Sequence, residues 1–151
     1  MKVLVDASVW LVAFSKTSRN AQASEITDML ASLMRDLRVI ITGQIRQELL
    51  SSIPDKTVRD VIRRKMLALE NYDPVTEDYE LAAELALKSA AAGVQGNPAD
   101  FLNCAVAVRN NWEIFTCNED FMQYKKILQV KVFRMKNTAV SAGSRTPSRP
   151  Q

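Results

Sequence analysis

The stretch KVLVDASVW, residues 2–10, decides the fold. Its Val3, Leu4 and Val5 form a short apolar run rich in β-branched residues, which is typical of a buried parallel strand. The run ends at Asp6, so this carboxylate lies at the carboxyl end of a strand. In open α/β sheets, ligands bind in the crevice outside those ends. Asp6 is therefore the first candidate functional residue.

Four further stretches have the composition of short strands and alternate with stretches of helical periodicity. This alternation predicts right-handed βαβ crossovers and a parallel sheet that helices cover on both faces, an α/β fold. Pro74, Lys131 and Arg134 indicate that two of the strands lie at sheet edges. The four stretches are residues 39–41, 72–75, 112–116 and 130–133.

Two more carboxylates lie in stretches that are predicted to be helical. Glu48 lies on a predicted helix over residues 44–52, directly after the second strand. Asn97, Pro98 and Asp100 have the spacing of the N-cap, first and third residues of another helix. Asp100 therefore opens a helix, and that helix is apolar nearly all round, which predicts deep burial.

Two N-caps and an apolar surplus are predicted elsewhere. Asp55 and Thr76 are expected to cap the helices that follow them. Five apolar residues on helix stripes exceed what a core of this size needs, which favours a homodimer or a groove for a partner protein. These five are Leu30, Leu33, Met34, Met66 and Leu69.

The composition is that of one globular domain. The chain has 151 residues, 47% of them hydrophobic and 25% charged. We assign the domain to residues 1–136, and residues 137–151, rich in Ser, Thr, Pro and Arg, are expected to form a disordered tail.

No apolar segment approaches the roughly 18 residues of a membrane span, so we expect a cytoplasmic protein without a membrane partner. Cys104 and Cys117 lack the spacing of a metal site.

The chain contains no histidine. This excludes nucleophilic catalysis by Ser-His or Cys-His pairs, and it excludes zinc held by imidazole. Hydrolytic chemistry would have to rely on carboxylates and on a hard cation that they hold. The net charge is +3, of which Arg145 and Arg149 supply two, so the composition permits a nucleic-acid partner without requiring one.

The candidate acids follow strands or open helices that follow strands, so one edge of the sheet could gather them. Singly, each has a simpler interpretation: Asp100 could complement a helix dipole, Glu48 could be solvated, and Asp120 could cap a short helix. Only Asp6 is hard to explain as a surface residue. The candidates are Asp6, Glu48, Asp100, Asn118 and Asp120.

Four motifs carry these residues in order: VDASVW at 5–10, ITGQIRQELL at 41–50, PADFLNCAVA at 98–107 and IFTCNEDF at 114–121. Together they resemble PIN-domain proteins, above all the VapC-type toxins of bacterial and archaeal toxin-antitoxin pairs. The resemblance implies a three-layer α/β/α sandwich with a parallel five-stranded sheet. It also implies a ribonuclease that depends on Mg²⁺ or Mn²⁺, acts on tRNA, rRNA or mRNA and binds a cognate antitoxin.

The resemblance also implies a role for each candidate residue. Three acids would hold the metal, and two hydroxyls would orient ligands or water. The family often has an aspartate two residues after the threonine that ends the fourth strand, where this chain has Asn118, so either Asn118 or Asp120 would complete the catalytic set. The metal-binding acids would be Asp6, Glu48 and Asp100, and the hydroxyls Ser8 and Thr116.

RNA must also be bound at this site. Arg46, two residues before Glu48, cannot share its helix face but could reach phosphates at the rim. Two other functions stay open. Asn118 would suit a non-catalytic RNA-binding or assembly module with the same fold, whereas a doubly wound phosphoryl-transfer domain is weaker because no second acid follows Asp6 closely.

Overall fold

The structure, a computed structural model, describes residues 1–15 and 20–135. Within these ranges strands and helices alternate as predicted, and the predicted tail at 137–151 lies outside them. The elements are β1 Val3–Val5, α1 Ala7–Phe14, α2 Ala21–Arg35, β2 Val39–Thr42, α3 Gly43–Ser51, α4 Lys56–Met66, β3 Glu70–Tyr72, α5 Thr76–Ala91, α6 Pro98–Asn110, β4 Glu113–Phe115 and α7 Asp120–Leu128.

The strands form a parallel sheet in the order β3-β2-β1-β4. In the central strand β1, Val3 lies opposite both Val39 of β2 and Glu113 of β4. Every residue of β1 and β2 is buried, because helices cover both faces of the sheet. The prediction of an α/β fold with a covered parallel sheet is confirmed.

The fifth strand expected over residues 130–133 is reduced to a bridge between Val132 and Ile114. The N–H of Ile114 donates to the carbonyl of Lys131, and its carbonyl accepts from the N–H of Phe133. In a parallel strand, successive residues direct their hydrogen bonds to opposite sides. All three residues of β4 lie in register with β1, but the N–H and carbonyl of Ile114 are directed away from β1, so Ile114 alone offers its hydrogen-bonding groups to a fifth strand.

The third strand lies earlier than expected, at Glu70–Tyr72 instead of 72–75, although its edge position was predicted correctly. Pro74 has no N–H for a ladder, so the strand ends before it. Thr76 was also predicted wrongly as an N-cap. It is the first helical residue of α5, and the Asp78 carboxylate accepts the N–H of Val75 at 2.9 Å instead.

Two N-caps fix the helices that carry site residues. The Thr42 hydroxyl, at the end of β2, accepts from the N–H of Ile45 at 3.2 Å and starts α3. The Asn97 side chain accepts from the N–H of Ala99 at 2.9 Å, with Pro98 as the first residue of α6, as predicted. The predicted cap at Asp55 is also confirmed, because its carboxylate accepts from the N–H of Val58.

Most of the predicted apolar surplus belongs to the core. Leu30, Leu33 and Met66 are buried, so the prediction that they form an excess surface is wrong. Leu69 packs partly against the core, while Met34 stays 40% exposed. The composition of the helices thus gives little support for a dimer surface. No helix in the described ranges is both long and apolar enough to span a membrane.

Candidate active site

Asp6 is buried at the point where β1 passes into α1. Its N–H donates to the carbonyl of Phe115 in β4, which ties the two strand ends together. Its Oδ2 atom accepts a 2.7 Å hydrogen bond from the Ser8 hydroxyl and a 3.0 Å bond from the Thr116 hydroxyl. Both predicted hydroxyls therefore contact Asp6, and both use the same oxygen.

The segment after β4 fixes the direction of these hydroxyl protons. The Ser8 oxygen accepts the N–H of Cys117 at 2.9 Å, and the Thr116 oxygen accepts the N–H of Asn118 at 3.0 Å. A hydroxyl has a single proton, and backbone donors occupy the lone-pair side of each oxygen here. Each proton is therefore directed to Asp6 Oδ2, which leaves Oδ1 as the oxygen through which Asp6 would bind a cation.

Asp100, the third residue of α6, is also buried. Its Oδ2 accepts a 3.2 Å hydrogen bond from the Tyr124 hydroxyl of α7. Burial raises the pKa of the Asp100 carboxyl to about 6, with a further contribution from the charge of Asp6 and a smaller one from Asp120, while the Tyr124 hydrogen bond opposes the rise. Burial is thus the main cause of the raised pKa, and the negative charges of Asp6 and Asp120 add to it.

Glu48, half-buried on α3, belongs to the same group of acids. Burial raises the pKa of its carboxyl, and the charges of Asp6 and Asp100 raise it further. Like charges act on one another in this way only at short range. The structure thus brings together the three acids that the sequence analysis selected as metal ligands.

Asp120 and Asn118 differ in what their side chains do. Asn118 Oδ1 accepts the N–H of Asp120 at 3.0 Å, so its amide serves the turn that starts α7. Asp120 has an exposed side chain, and its charge acts on Asp100. Of the two candidates for the fourth position, Asp120 is thus the one coupled to the acid cluster.

Arg46 lies apart from these contacts. It is half-buried, and its Nη2 donates a 3.5 Å hydrogen bond to the carbonyl of Met66 at the end of α4. A role of Arg46 in RNA binding stays a prediction.

The acid cluster fits a hard divalent cation by the chemistry of its donors, which are all carboxylate oxygens. Among the described residues, no three acidic or thiol side chains form a preformed metal cage. Mg²⁺ does not need one, because it keeps several waters and binds directly to one or two carboxylates. A cation or bound protons would reduce the repulsion among these carboxylates.

Two residues near the acids were not selected from the sequence. Tyr124 contacts Asp100 directly, and burial raises the pKa of its phenol to about 12, so the hydroxyl stays a donor at neutral pH. Cys104 is buried one helical turn after Asp100, and burial strongly raises the pKa of its thiol, so it is a poor metal ligand. The available signal was the three-residue spacing of Phe121 and Tyr124, which marks the inner face of α7.

A family model of the PIN domain matches residues 3–127. The chain belongs to the PIN-domain family. In this PIN domain, the strand ends and helix starts described above are where the four sequence motifs lie, so the resemblance expected from the sequence is confirmed. No curated protein sequence matches the chain.

Solved structures share the fold at low identity. VapBC2 from Rickettsia felis, bound to a DNA fragment from its promoter, has a TM-score of 0.71 and 17% identity, covering 89% of this chain and 99% of that one. FitAcB from Neisseria gonorrhoeae gives 0.65 and 15%, with 87% and 96% covered. VapC20 from Mycobacterium tuberculosis, a sarcin-ricin loop cleaving toxin, gives 0.69 and 14%, with 86% and 99% covered. At these identities the likeness shows the fold.

Proposed function

We propose that this PIN domain is a metal-dependent endoribonuclease that hydrolyses RNA phosphodiester bonds. The observation that carries the proposal is the position of three acids: Asp6 is buried directly after β1, Asp100 is buried at the start of α6, and Glu48 lies half-buried on α3. Burial raises the pKa of the Glu48 carboxyl, and the charges of Asp6 and Asp100 raise it further, so the three acids act on one another at the carboxyl edge of the sheet, where α/β proteins bind ligands.

The residues of the site have different roles in the proposed reaction. Asp6, Glu48 and Asp100 would hold Mg²⁺ or Mn²⁺, and Asp120 would complete the acidic set at its exposed rim. When bound, the cation supplies charge stabilisation at the phosphate and promotes ionisation of the attacking water. Ser8 and Thr116 keep the Asp6 carboxylate in one orientation, so that it does not rotate when the substrate arrives.

We also propose that the chain is the toxin of a toxin-antitoxin pair, with rRNA, tRNA or mRNA as its substrate and the cytoplasm as its location. The support is the kind of protein found among the structural relatives, which include the VapBC2 complex from Rickettsia felis and a VapC toxin that cleaves the sarcin-ricin loop. An antitoxin would inhibit the enzyme by covering the acid cluster. Assembly as a homodimer belongs to the same proposal.

The test is cleavage of mixed tRNA and rRNA by the purified chain with Mg²⁺, with Mn²⁺ and with EDTA. We expect cleavage only with metal, and a loss of at least about 100-fold in Asp6→Asn, because this change removes a charge from the cluster. Asp28→Asn is the matched control, since Asp28 is an exposed acid on α2, and it should cleave like the wild type.

Cleavage that persists in EDTA or in Asp6→Asn would contradict the nuclease proposal. RNA retention without cleavage, equal with and without EDTA, would favour the non-catalytic binding module instead. Growth arrest on expression in bacteria, relieved by Asp6→Asn, tests the toxin assignment separately.

A further inference from the structure

Tyr124 is a fully buried tyrosine whose polar end reaches the acid cluster. It is 0% exposed, and its ring centroid lies 5.4 Å from that of Phe101 and 5.2 Å from that of Phe121, edge-on to the latter. These rings would pack equally well around a phenylalanine. The hydroxyl is therefore the feature that requires an explanation, and its acceptor is Asp100 Oδ2 at 3.2 Å.

The segment before α6 is shaped to admit this hydroxyl. A Cβ atom at Gly96 would lie 2.8 Å from the Tyr124 hydroxyl and would collide with the ring of Phe101. Glycine at this position thus lets the backbone approach the phenol closely. The contact between Tyr124 and Asp100 is built from three parts of the chain: the segment at Gly96, α6 and α7.

The hydrogen bond restricts the Asp100 carboxylate in the same way that two hydroxyls restrict Asp6. Oδ2 is engaged by the phenol, so a cation shared with Asp6 would meet the other oxygen of Asp100. Partners of this kind orient metal ligands, and their loss typically weakens metal binding by 10-fold or more.

We propose that Tyr124 is a positioning residue, whose hydroxyl fixes the Asp100 carboxylate so that its free oxygen is presented to the divalent cation. The inference rests on the proposed metal-dependent function. It extends the functional machinery beyond the four motifs to the inner face of α7.

The test is the Mn²⁺ affinity of purified Tyr124→Phe, measured by isothermal titration calorimetry without RNA. We expect the dissociation constant to rise by about 10-fold, because the ring stays and only the hydroxyl is lost. Tyr72→Phe is the matched control. It also removes a phenol that donates to a carboxylate, that of Asp78 at 2.7 Å, but the pKa of this carboxyl is set by burial and by its hydrogen-bond donors and not by the acid cluster, so Mn²⁺ affinity should stay unchanged.

Urea denaturation without metal shows whether both variants are folded, and RNA cleavage adds a second readout. At saturating Mn²⁺, Tyr124→Phe should cleave with a reduced kcat and an unchanged KM for RNA, because phosphate binding at the rim is untouched. An Mn²⁺ dissociation constant within twofold of the wild type would overturn the role of Tyr124 while leaving the nuclease intact. A wild-type protein that binds no Mn²⁺ would overturn both proposals.

Discussion

The Thr116 hydroxyl, at the end of β4, donates a 3.0 Å hydrogen bond to Asp6, at the end of β1. We predict that Thr116→Val weakens Mn²⁺ binding and RNA cleavage by about 10-fold, because Asp6 loses one of the two donors that orient it. Thr57→Val is the control: it makes the same substitution at an exposed threonine on α4 and should behave like the wild type. Equal Mn²⁺ affinities in the two variants would show that the Thr116 hydroxyl does not orient Asp6.

The raised pKa of Asp100 predicts that its ionised carboxylate destabilises the metal-free fold at neutral pH. Burial is the main cause of the shift from 3.8 to about 6, so the folded protein retains a proton that the unfolded chain has lost. The resulting decrease in the free energy of unfolding is absent below about pH 4, grows as the pH rises and is complete above about pH 6.

Asp100→Asn should therefore raise the free energy of unfolding in EDTA by on the order of 1 kcal/mol at pH 7, because no charge is then buried and solvent already reaches part of this site, and change it little at pH 4. Urea denaturation at both pH values measures the difference. Asp28→Asn serves as the control, and a gain of stability that is the same at both pH values would contradict the electrostatic explanation.

Asp78 is fully buried and ties α5 to β3 and α6. Its carboxylate accepts from Arg109 at 2.7 Å, from the Tyr72 hydroxyl and from the N–H of Val75. Burial raises the pKa of this carboxyl, but the hydrogen bonds outweigh burial and hold the pKa below its usual value. The stabilisation is therefore present above about pH 4 and is lost as the pH falls through the folded-state pKa.

Arg109→Met should clearly lower the free energy of unfolding at pH 7, because the buried Asp78 carboxylate loses its charged partner. Lys56→Met is the control: it breaks the exposed ion pair with Asp60 and should leave the free energy of unfolding almost unchanged. If both changes cost the same in urea denaturation, the buried pair has no special importance for stability.

Gly96→Ala should disturb the acid cluster from a distance. Its Cβ would displace the Phe101 ring and the Tyr124 hydroxyl, which we expect to cost about 1 to 3 kcal/mol of stability and to weaken Mn²⁺ binding. Gly43→Ala, at the first residue of α3, meets open space and should be neutral or slightly stabilising. Unchanged Mn²⁺ affinity in Gly96→Ala would show that the Gly96 segment does not support the metal site.

The sequence predicted those parts of the site that depend on local signals. Asp6 follows a short apolar run, and Asp100 follows an N-cap and a proline, so each could be placed at an element end before the sheet was known. The sequence could not connect Tyr124 to Asp100, because no local sequence pattern shows which acid the inner face of α7 contacts. Leu30 was misassigned for a related reason: periodicity marks an apolar face without showing what covers it.

The fifth strand shows the limit of composition as a guide to pairing. Residues 130–133 are rich in β-branched and aromatic residues, yet a ladder also needs a neighbouring strand with free hydrogen-bonding groups. β4 offers those of Ile114, and its short length could not be deduced from the apolar stretch at 112–116.

The pairing of β1 with β4 also bears on the order in which the chain becomes competent. Asp6 and Thr116 are 110 residues apart in sequence, yet β1 and β4 are direct neighbours in the sheet, with neither β2 nor β3 between them. During synthesis, Asp6 therefore leaves the ribosome 110 residues before its Thr116 donor, and Asp100 leaves it 24 residues before its Tyr124 partner. Such distant contacts form late in folding, so a nascent chain carries the acids long before it can organise them.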